Sequence, residues 1–214
     1  MGSNLLNEYN LENAPIQQEL VIVNDSDKPC FVKIYSEDMT NIVNSWFYTL
    51  PDTILIEAAS NYSYNLKTNI PDNLPAQSYN GRIYVEETGV DRSQKTRFGS
   101  IGTSIRYEIN NIYHKNYNPQ LNVDLQDLKI SDNKISFDLL NEDDYFLNAE
   151  ILIQTINHSG EINAEIKEKY NILNKNSRKC SINMNSDFDS TTIKHLIIVI
   201  TNQENEMCVF EKEF

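Results

Sequence analysis

Positive charge is scarce in this chain. Its 214 residues carry 18 Lys+Arg against 31 Asp+Glu, for a formal net charge of −13 and a sequence pI of about 4.6. Binding phosphates requires net or clustered basic charge, so nucleic acid is excluded as a partner and an anionic membrane surface is disfavoured. Long apolar runs are missing as well. None approaches the ~18 residues of a membrane-spanning helix, so no membrane insertion is expected. A leader pattern is not visible; Met1-Gly2-Ser3 resembles the start of an expressed fragment, and a native leader is expected to have been cut away. Cysteine is sparse too. Three residues, Cys30, Cys180 and Cys208, cannot all pair within one chain, and their spacings match no zinc pattern. Cys180 shares a strand face with Ile182 and Met184, and Cys208 shares one with Phe210. That leaves two readings: buried free thiols, or a Cys180–Cys208 disulfide if their strands are adjacent.

Catalytic signatures are absent in the same way. No G-x-S-x-G, H-E-x-x-H, P-loop or G-x-G-x-x-G occurs. The histidines, His114, His158 and His195, fall in a linker, a turn and a strand start, so none is placed as the base of a nucleophile. Glu142-Asp143-Asp144 lacks the glycine turn of a calcium loop and reads as a solvated turn. Adjacent carboxylates at Glu86-Glu87 point to opposite faces of a strand and cannot cooperate as acid and base. Gly99 and Gly102 lie inside a strand, where they mark a bulge or a close backbone approach. The chain is therefore not expected to be an enzyme, and no cofactor or metal is expected.

What the sequence does contain is short alternating segments separated by turn residues. Residues 3–16 suit a first edge strand or lead-in. Glu19 to Asn24 places Leu20 and Ile22 on one side, and Asn24-Asp25-Ser26-Asp27 supplies a turn. Phe31 to Ser36 turns Val32 and Ile34 inward; Asn41 to Leu50 carries the only tryptophan, Trp46, expected in the core. Thr53 to Glu57 and Tyr62 to Lys67 follow. Asn110 to Gln120, rich in asparagine and holding Pro119, reads as a linker. Beyond it the strands are Leu121 to Leu125, Lys134 to Leu140, Ala149 to Ile156, Ile162 to Ile166, Lys179 to Asn183, Leu196 to Thr201 and Met207 to Phe214. Ile162 to Leu173 also allows a helix. Leu196 to Ile200 is apolar on both faces, as in a central strand covered on both sides. No 3.6-residue periodicity is sustained elsewhere. The fold class is all-β, with two sandwich domains at 1–112 and 118–214.

One stretch organises the rest, Gln77 to Ile109. Tyr79, Gly81, Ile83 and Val85 fall on one face of its first arm, with Asn80, Arg82, Tyr84 and Glu86 on the other. The second arm, Arg97 to Ile109, alternates Ile101, Ile105, Tyr107 and Ile109 against Ser100, Ser104, Arg106 and Glu108. Thr88 to Thr96, with Gly89, Asp91, Arg92 and Lys95, reads as an exposed loop. Together these segments make a long β-hairpin.

The step Asn24 to Pro29 (N-D-S-D-K-P), the run Val32 to Asp38 (V-K-I-Y-S-E-D), then G-R-I-Y-V-E-E from Gly81 and F-G-S-I-G-T-S-I from Phe98 resemble the periplasmic pilus-assembly chaperones of the chaperone–usher pathway. The motifs cover the first half; the second half fits by length and strand pattern. The resemblance implies two immunoglobulin-like domains and a periplasmic location. It also implies pilin-like or other surface subunits as partners, with an outer-membrane usher as a further one. In that family the last strand of the first domain is lent to a subunit, its backbone giving affinity and its alternate side chains filling the subunit's groove. A basic residue late in the strand grips the subunit's terminal carboxylate. By this likeness the partner-binding residues are Arg97, Phe98, Gly99, Ile101, Thr103, Ile105 and Arg106, with Arg106 the carboxylate anchor. Two other readings remain: a structural or adhesive surface module, and a carbohydrate-binding sandwich using Tyr62, Tyr64 and Tyr84.

Overall fold

Strict alternation of apolar and polar residues forces strands here, because only a pleated strand puts every second side chain on one side. The computed structural model describes residues 5–13, 16–38, 46, 50–51, 53–88, 94–96, 99–101, 105–131, 134–184, 188 and 190–214. Contacts divide the chain into two units, Met1–Asn116 and Tyr117–Phe214. Each unit is an immunoglobulin-like sandwich of two sheets around its own core.

The first unit contains β1 (Leu5–Asn10), β2 (Gln17–Asn24), β3 (Cys30–Asp38), β4 (Thr53–Ile56), β5 (Ser60–Lys67), β6 (Ser78–Thr88), β7 (Gln94–Thr96), β8 (Gly99–Ile101) and β9 (Arg106–His114). One sheet runs in the order β1-β9-β6-β3-β4; β2 and β5 form the facing sheet. β1 lies parallel to β9, from Leu5 opposite Ile109 to Asn10 opposite His114. The other neighbouring strands pair antiparallel. Val32, Ile34, Ile83 and Val85 meet Leu20, Ile56 and Leu66 in the core. Trp46 is fully buried there against Tyr79 and Tyr113, at centroid distances of 5.2 and 5.6 Å. Most of the strand expected around it, Asn41 to Leu50, lies outside the described residues.

The second unit contains β10 (Val123–Ser131), β11 (Lys134–Asn141), β12 (Leu147–Asn157), β13 (Ile162–Ile172), β14 (Asn176–Asn183), β15 (Ile193–Thr201) and β16 (Met207–Glu213). Its sheets run β10-β11-β14 and β13-β12-β15-β16. Residues 162–172, whose charge spacing also allows a helix, pair with β12 along their length, so long-range pairing prevails over the local pattern. Leu196, Ile198 and Ile200 are buried, whereas Ile197 and Val199 on the other face are only half-buried. None of the three cysteines is in a disulfide. Cys180 sits in β14 and Cys208 on edge strand β16 of the opposite sheet, so the disulfide alternative falls.

Asparagine ends the strands. At Asn24 the side-chain carbonyl accepts from the Ser26 amide (3.1 Å), while its NH2 donates to the carbonyls of Lys28, Ile56 and Glu57 (2.8, 3.2 and 2.9 Å). Asn141 repeats the pattern with Asp143, Tyr145, Ile172 and Leu173. Asn157 and Asn202 each accept two backbone amides of the following turn. One side chain thus satisfies several backbone groups where the ladder stops. The acidic run after Asn141 serves the same end: Asp143 accepts from the Gln120 amide, and Asp144 lies 3.3 Å from Lys175.

Two expectations are corrected. Asn110 to His114, read as linker, completes β9 and pairs with both β6 and β1. Residues 94–96, read as part of the exposed loop, are strand β7 and pair antiparallel with β8.

Candidate functional site: an open strand edge

β9 is held unequally. On one side it pairs with β6 from Arg106 to His114; on its other side the described part of β1 pairs with it from Ile109 onward. Among the described residues nothing pairs with the outer edge of Arg106, Tyr107 and Glu108. The Glu87 amide donates to the Ile105 carbonyl (3.0 Å), which makes Glu86 and Arg106 a pair that exchanges no backbone bonds. Arg106 and Glu108 therefore turn their N–H and C=O groups away from β6, toward the open edge. An edge with free donors and acceptors is a template for another strand.

Beneath this edge the sandwich is not closed. Leu20 to Val23 of β2 face Val85, Tyr107 and Ile109 across a hollow of about 220 Å3. A second and more polar hollow, of about 170 Å3, adjoins it, lined by Ile22, Val32 and Ile105 but also by Asn24, Asp25, Ser26 and Glu87. Val21, Val23 and Tyr107 are more than half exposed at the rim, although Tyr107 belongs to the inward-facing set. Apolar residues stay exposed here because no described strand fills the gap between β2 and β9.

On the outer face of the same sheet, Arg106 is drawn back over β6. Its guanidinium lies 4.7 Å from the centre of the Tyr84 ring, and Tyr84 stacks on Tyr35 at 5.2 Å. The Tyr35 hydroxyl donates to Glu86 Oε2 at 3.2 Å. Arg106 is held above the ordinary arginine pKa, first by a hydrogen bond to Tyr35 and then by the charges of Tyr35, Tyr84 and Glu86. Stacking flattens the guanidinium while the side chain stays exposed, which leaves N–H donors for a partner. Beside it, Arg82 lies 3.5 Å from Glu108.

The sequence-predicted residues are thus only partly brought together. Arg106 and Ile105 sit at the open edge; Gly99 and Ile101 belong to β8 in its separate small sheet. Arg97, Phe98 and Thr103 lie outside the described residues. The likeness wants a basic residue late in the strand, and Arg106 is its first residue. Sequence reasoning missed β2 as a wall of the site; the signal was Leu20-Val21-Ile22-Val23, apolar on both faces of what should be a half-polar strand. Tyrosine platforms for a sugar are not presented. Tyr84 is 3 % exposed under Arg106, and Tyr62 and Tyr64 pack against the core.

One cluster elsewhere looks chemical. Ser78 Oγ lies 2.8 Å from His114 Nδ1, and Glu8 Oε2 lies 3.5 Å from His114 Nε2. Ser78 and His114 are opposite each other in register and both buried, at 1 % and 5 % exposure, so no substrate reaches the hydroxyl. Among the described residues no group of three His, Cys, Asp or Glu side chains could hold a metal ion.

No protein-family model matches the sequence, and no curated protein matches it significantly. Solved structures do resemble it along its whole length. The YadV chaperone aligns with a TM-score of 0.52 at 12% identity, covering 99% of this chain and 98% of that one. The periplasmic chaperone SfaE gives 0.52 at 11% identity over 99% and 96%. The class 5 fimbriae chaperone CfaA gives 0.51 at 15% identity over 99% and 98%. The chain has the two-sandwich fold of these chaperones. At such identities fold is what is shared, and what the edge of β9 does must be argued from its own residues.

Proposed function

We propose that this protein is a chaperone-like, non-enzymatic binder of surface-protein subunits, pilin-like ones in the first place, acting in the periplasm by β-strand addition. A single observation carries the reading: β9 leaves Arg106 and Glu108 with outward-turned backbone groups beside an apolar opening. Such an edge takes an extended segment through main-chain hydrogen bonds. An outer-membrane usher is a further expected partner, and the segment 97–105 is expected to be lent to the subunit. The test is a photo-crosslinking amino acid placed at Tyr107 in cells, with the same substitution at exposed Lys167 as control. Adducts from position 107 alone, with a protein whose yield falls when the chaperone-like chain is deleted, support the reading. Equal adducts from both positions, or a captured protein indifferent to the deletion, overturn it.

Arg106 as a terminal-carboxylate anchor belongs to the same proposal. Titrating the captured protein's last strand as free acid and as amide tests it. A charge-assisted bond is worth roughly 1.5–3 kcal/mol, so the amide should bind about tenfold weaker or worse, and Arg106→Ala should erase the difference. Equal affinities would remove the anchor. The second reading, a structural or adhesive module, is favoured by the engagement of Arg106 with Tyr84 and Tyr35 inside its own sheet.

A further inference from the structure

Among the described residues the rows of side chains that cross the sheet end at the edge of β9 beside Arg106 and Tyr107, and each row says what should come next. On the outer face Lys33, Glu86 and Arg106 stand opposite one another in register across β3, β6 and β9, so the signs alternate plus, minus, plus. Opposite charges facing each other across a strand pair are favourable and like charges are not, so the next strand should place a carboxylate beside Arg106. On the inner face Ile34, Val85 and Tyr107 form the neighbouring row. It ends at an exposed tyrosine over the two adjoining hollows of about 220 and 170 Å3. Each has the volume of one aliphatic side chain; the larger is apolar but for Glu108, and the smaller keeps its apolar wall at Ile22, Val32, Val85 and Ile105, with Asn24, Asp25, Ser26 and Glu87 also lining it. The hollows lie on either side of Tyr107, so a strand whose outward residue faces Arg106 would set its two inward neighbours opposite Ile105 and Tyr107, one beside each hollow.

Resting on the strand-addition reading above, we propose that the open edge receives a partner strand with the pattern apolar–acid–apolar. The two apolar side chains enter the hollows between β2 and β9, and the acidic one between them meets Arg106 on the outer face. The pattern reads the same in both directions, so it holds for a parallel or an antiparallel strand. This chain is thereby a receiver of side chains as well as a lender of a strand. The acid that meets Arg106 can be an internal aspartate or glutamate, and a partner strand that ended at this position would present its terminal carboxylate in the same place. Apolar residues here gain by leaving water, which supplies affinity; the acid sets register, because a slip of one residue would drive it into the hollow.

The probe is a set of capped, fluorescein-labelled nine-residue peptides, alternating valine and threonine at the ends, with Ile-Asp-Ile, Ile-Lys-Ile or Ser-Asp-Ser at the centre. Fluorescence anisotropy with the full chain reads affinity. Ile-Asp-Ile should bind at least about tenfold tighter than either alternative. In Arg106→Glu the preference between the aspartate and lysine peptides should reverse, and Tyr107→Lys should abolish binding of the isoleucine peptides while the circular dichroism stays that of the wild type. Equal binding of all three peptides, or an aspartate preference that survives Arg106→Glu, overturns the pattern and leaves strand addition standing. If no peptide binds at up to about 1 mM, a free energy weaker than about −4 kcal/mol, the edge does not take strands and both readings fall.

Discussion

Asparagine side chains terminate strands in both units, and what they hold can be weighed. The Asn24 NH2 ties the turn after β2 to the connection between β4 and β5 through the carbonyls of Lys28, Ile56 and Glu57. Asn24→Ala leaves those acceptors and the Ser26 amide without their partner; at roughly 1–3 kcal/mol for each buried orphan, and with some reached by water, the loss should be about 2–4 kcal/mol. Urea unfolding followed by Trp46 fluorescence reads it. Asn163→Ala, which removes one exposed bond to Thr192, should change stability by no more than about 0.5 kcal/mol. A second residue-level expectation concerns Cys180. Burial pushes its thiol up to about 12, with Arg178 pulling the other way. A raised folded value means that the unfolded chain loses this proton first as pH rises. The native state therefore keeps the full benefit below the ordinary thiol range and loses it progressively toward pH 12. Stability should fall above about pH 9 more steeply in wild type than in Cys180→Ala. A thiol reagent at pH 8 should modify Cys30 and Cys208, both half-buried, and spare Cys180 until the chain unfolds. Modification of Cys180 in the native state would contradict its placement.

At the scale of the element, β9 is two strands in one. Its second half is flanked by β6 and β1; among the described residues its first half is bonded on one side only. Amide exchange should show this residue by residue: Arg106 and Glu108 exchange fast, and Tyr107 and Ile109, turned toward β6, exchange slowly. Uniform protection from Arg106 to Ile109 would mean that the edge is already covered. Much of this sheet was legible in the sequence. Alternation around Ile83 and Val85 gave the inward face of β6, Val32 and Ile34 gave that of β3, and the single tryptophan was expected in the core where it lies. What was not legible was which short segments pair. Residues 94–96 have no apolar alternation and read as loop, yet they pair with β8, because periodicity reports a strand's faces and is blind to its partner. His114 was hidden for a related reason. An asparagine-rich stretch resembles a linker, yet in Asn7 and Asn111 the amides face each other across β1 and β9 at 3.1 Å, and β9 carries on through them. The walls of the hollows were missed because β2 was judged by Leu20 and Ile22 alone, while Val21 and Val23 on its other face carried the signal.

For the whole molecule the governing fact is two cores with two sets of strand-ending asparagines. Leu20, Trp46 and Ile83 belong to one core, and Phe137, Ile151 and Ile198 to the other. Units that each bury their own apolar cluster should unfold as separate cooperative transitions, with stabilities set by local contacts. Trp46 makes this measurable, since the only tryptophan lies in the first unit. Asn141 holds the turn after β11 to β13 through Tyr145, Ile172 and Leu173, all within the second unit. Asn141→Ala should therefore lower the transition seen by far-ultraviolet circular dichroism and leave the Trp46 fluorescence midpoint within about 0.5 kcal/mol of wild type. Asn24→Ala should do the opposite, moving the tryptophan signal first. The same division predicts early proteolytic cleavage near the boundary between Asn116 and Tyr117, with two fragments of about half length. Cleavage first inside β15, or a tryptophan transition that follows Asn141→Ala as closely as it follows Asn24→Ala, would show one cooperative body in place of two. The partner-binding edge would then be exposed only when the entire chain is folded. With independent units, the first 116 residues alone should retain the peptide affinities and the aspartate preference of the full chain.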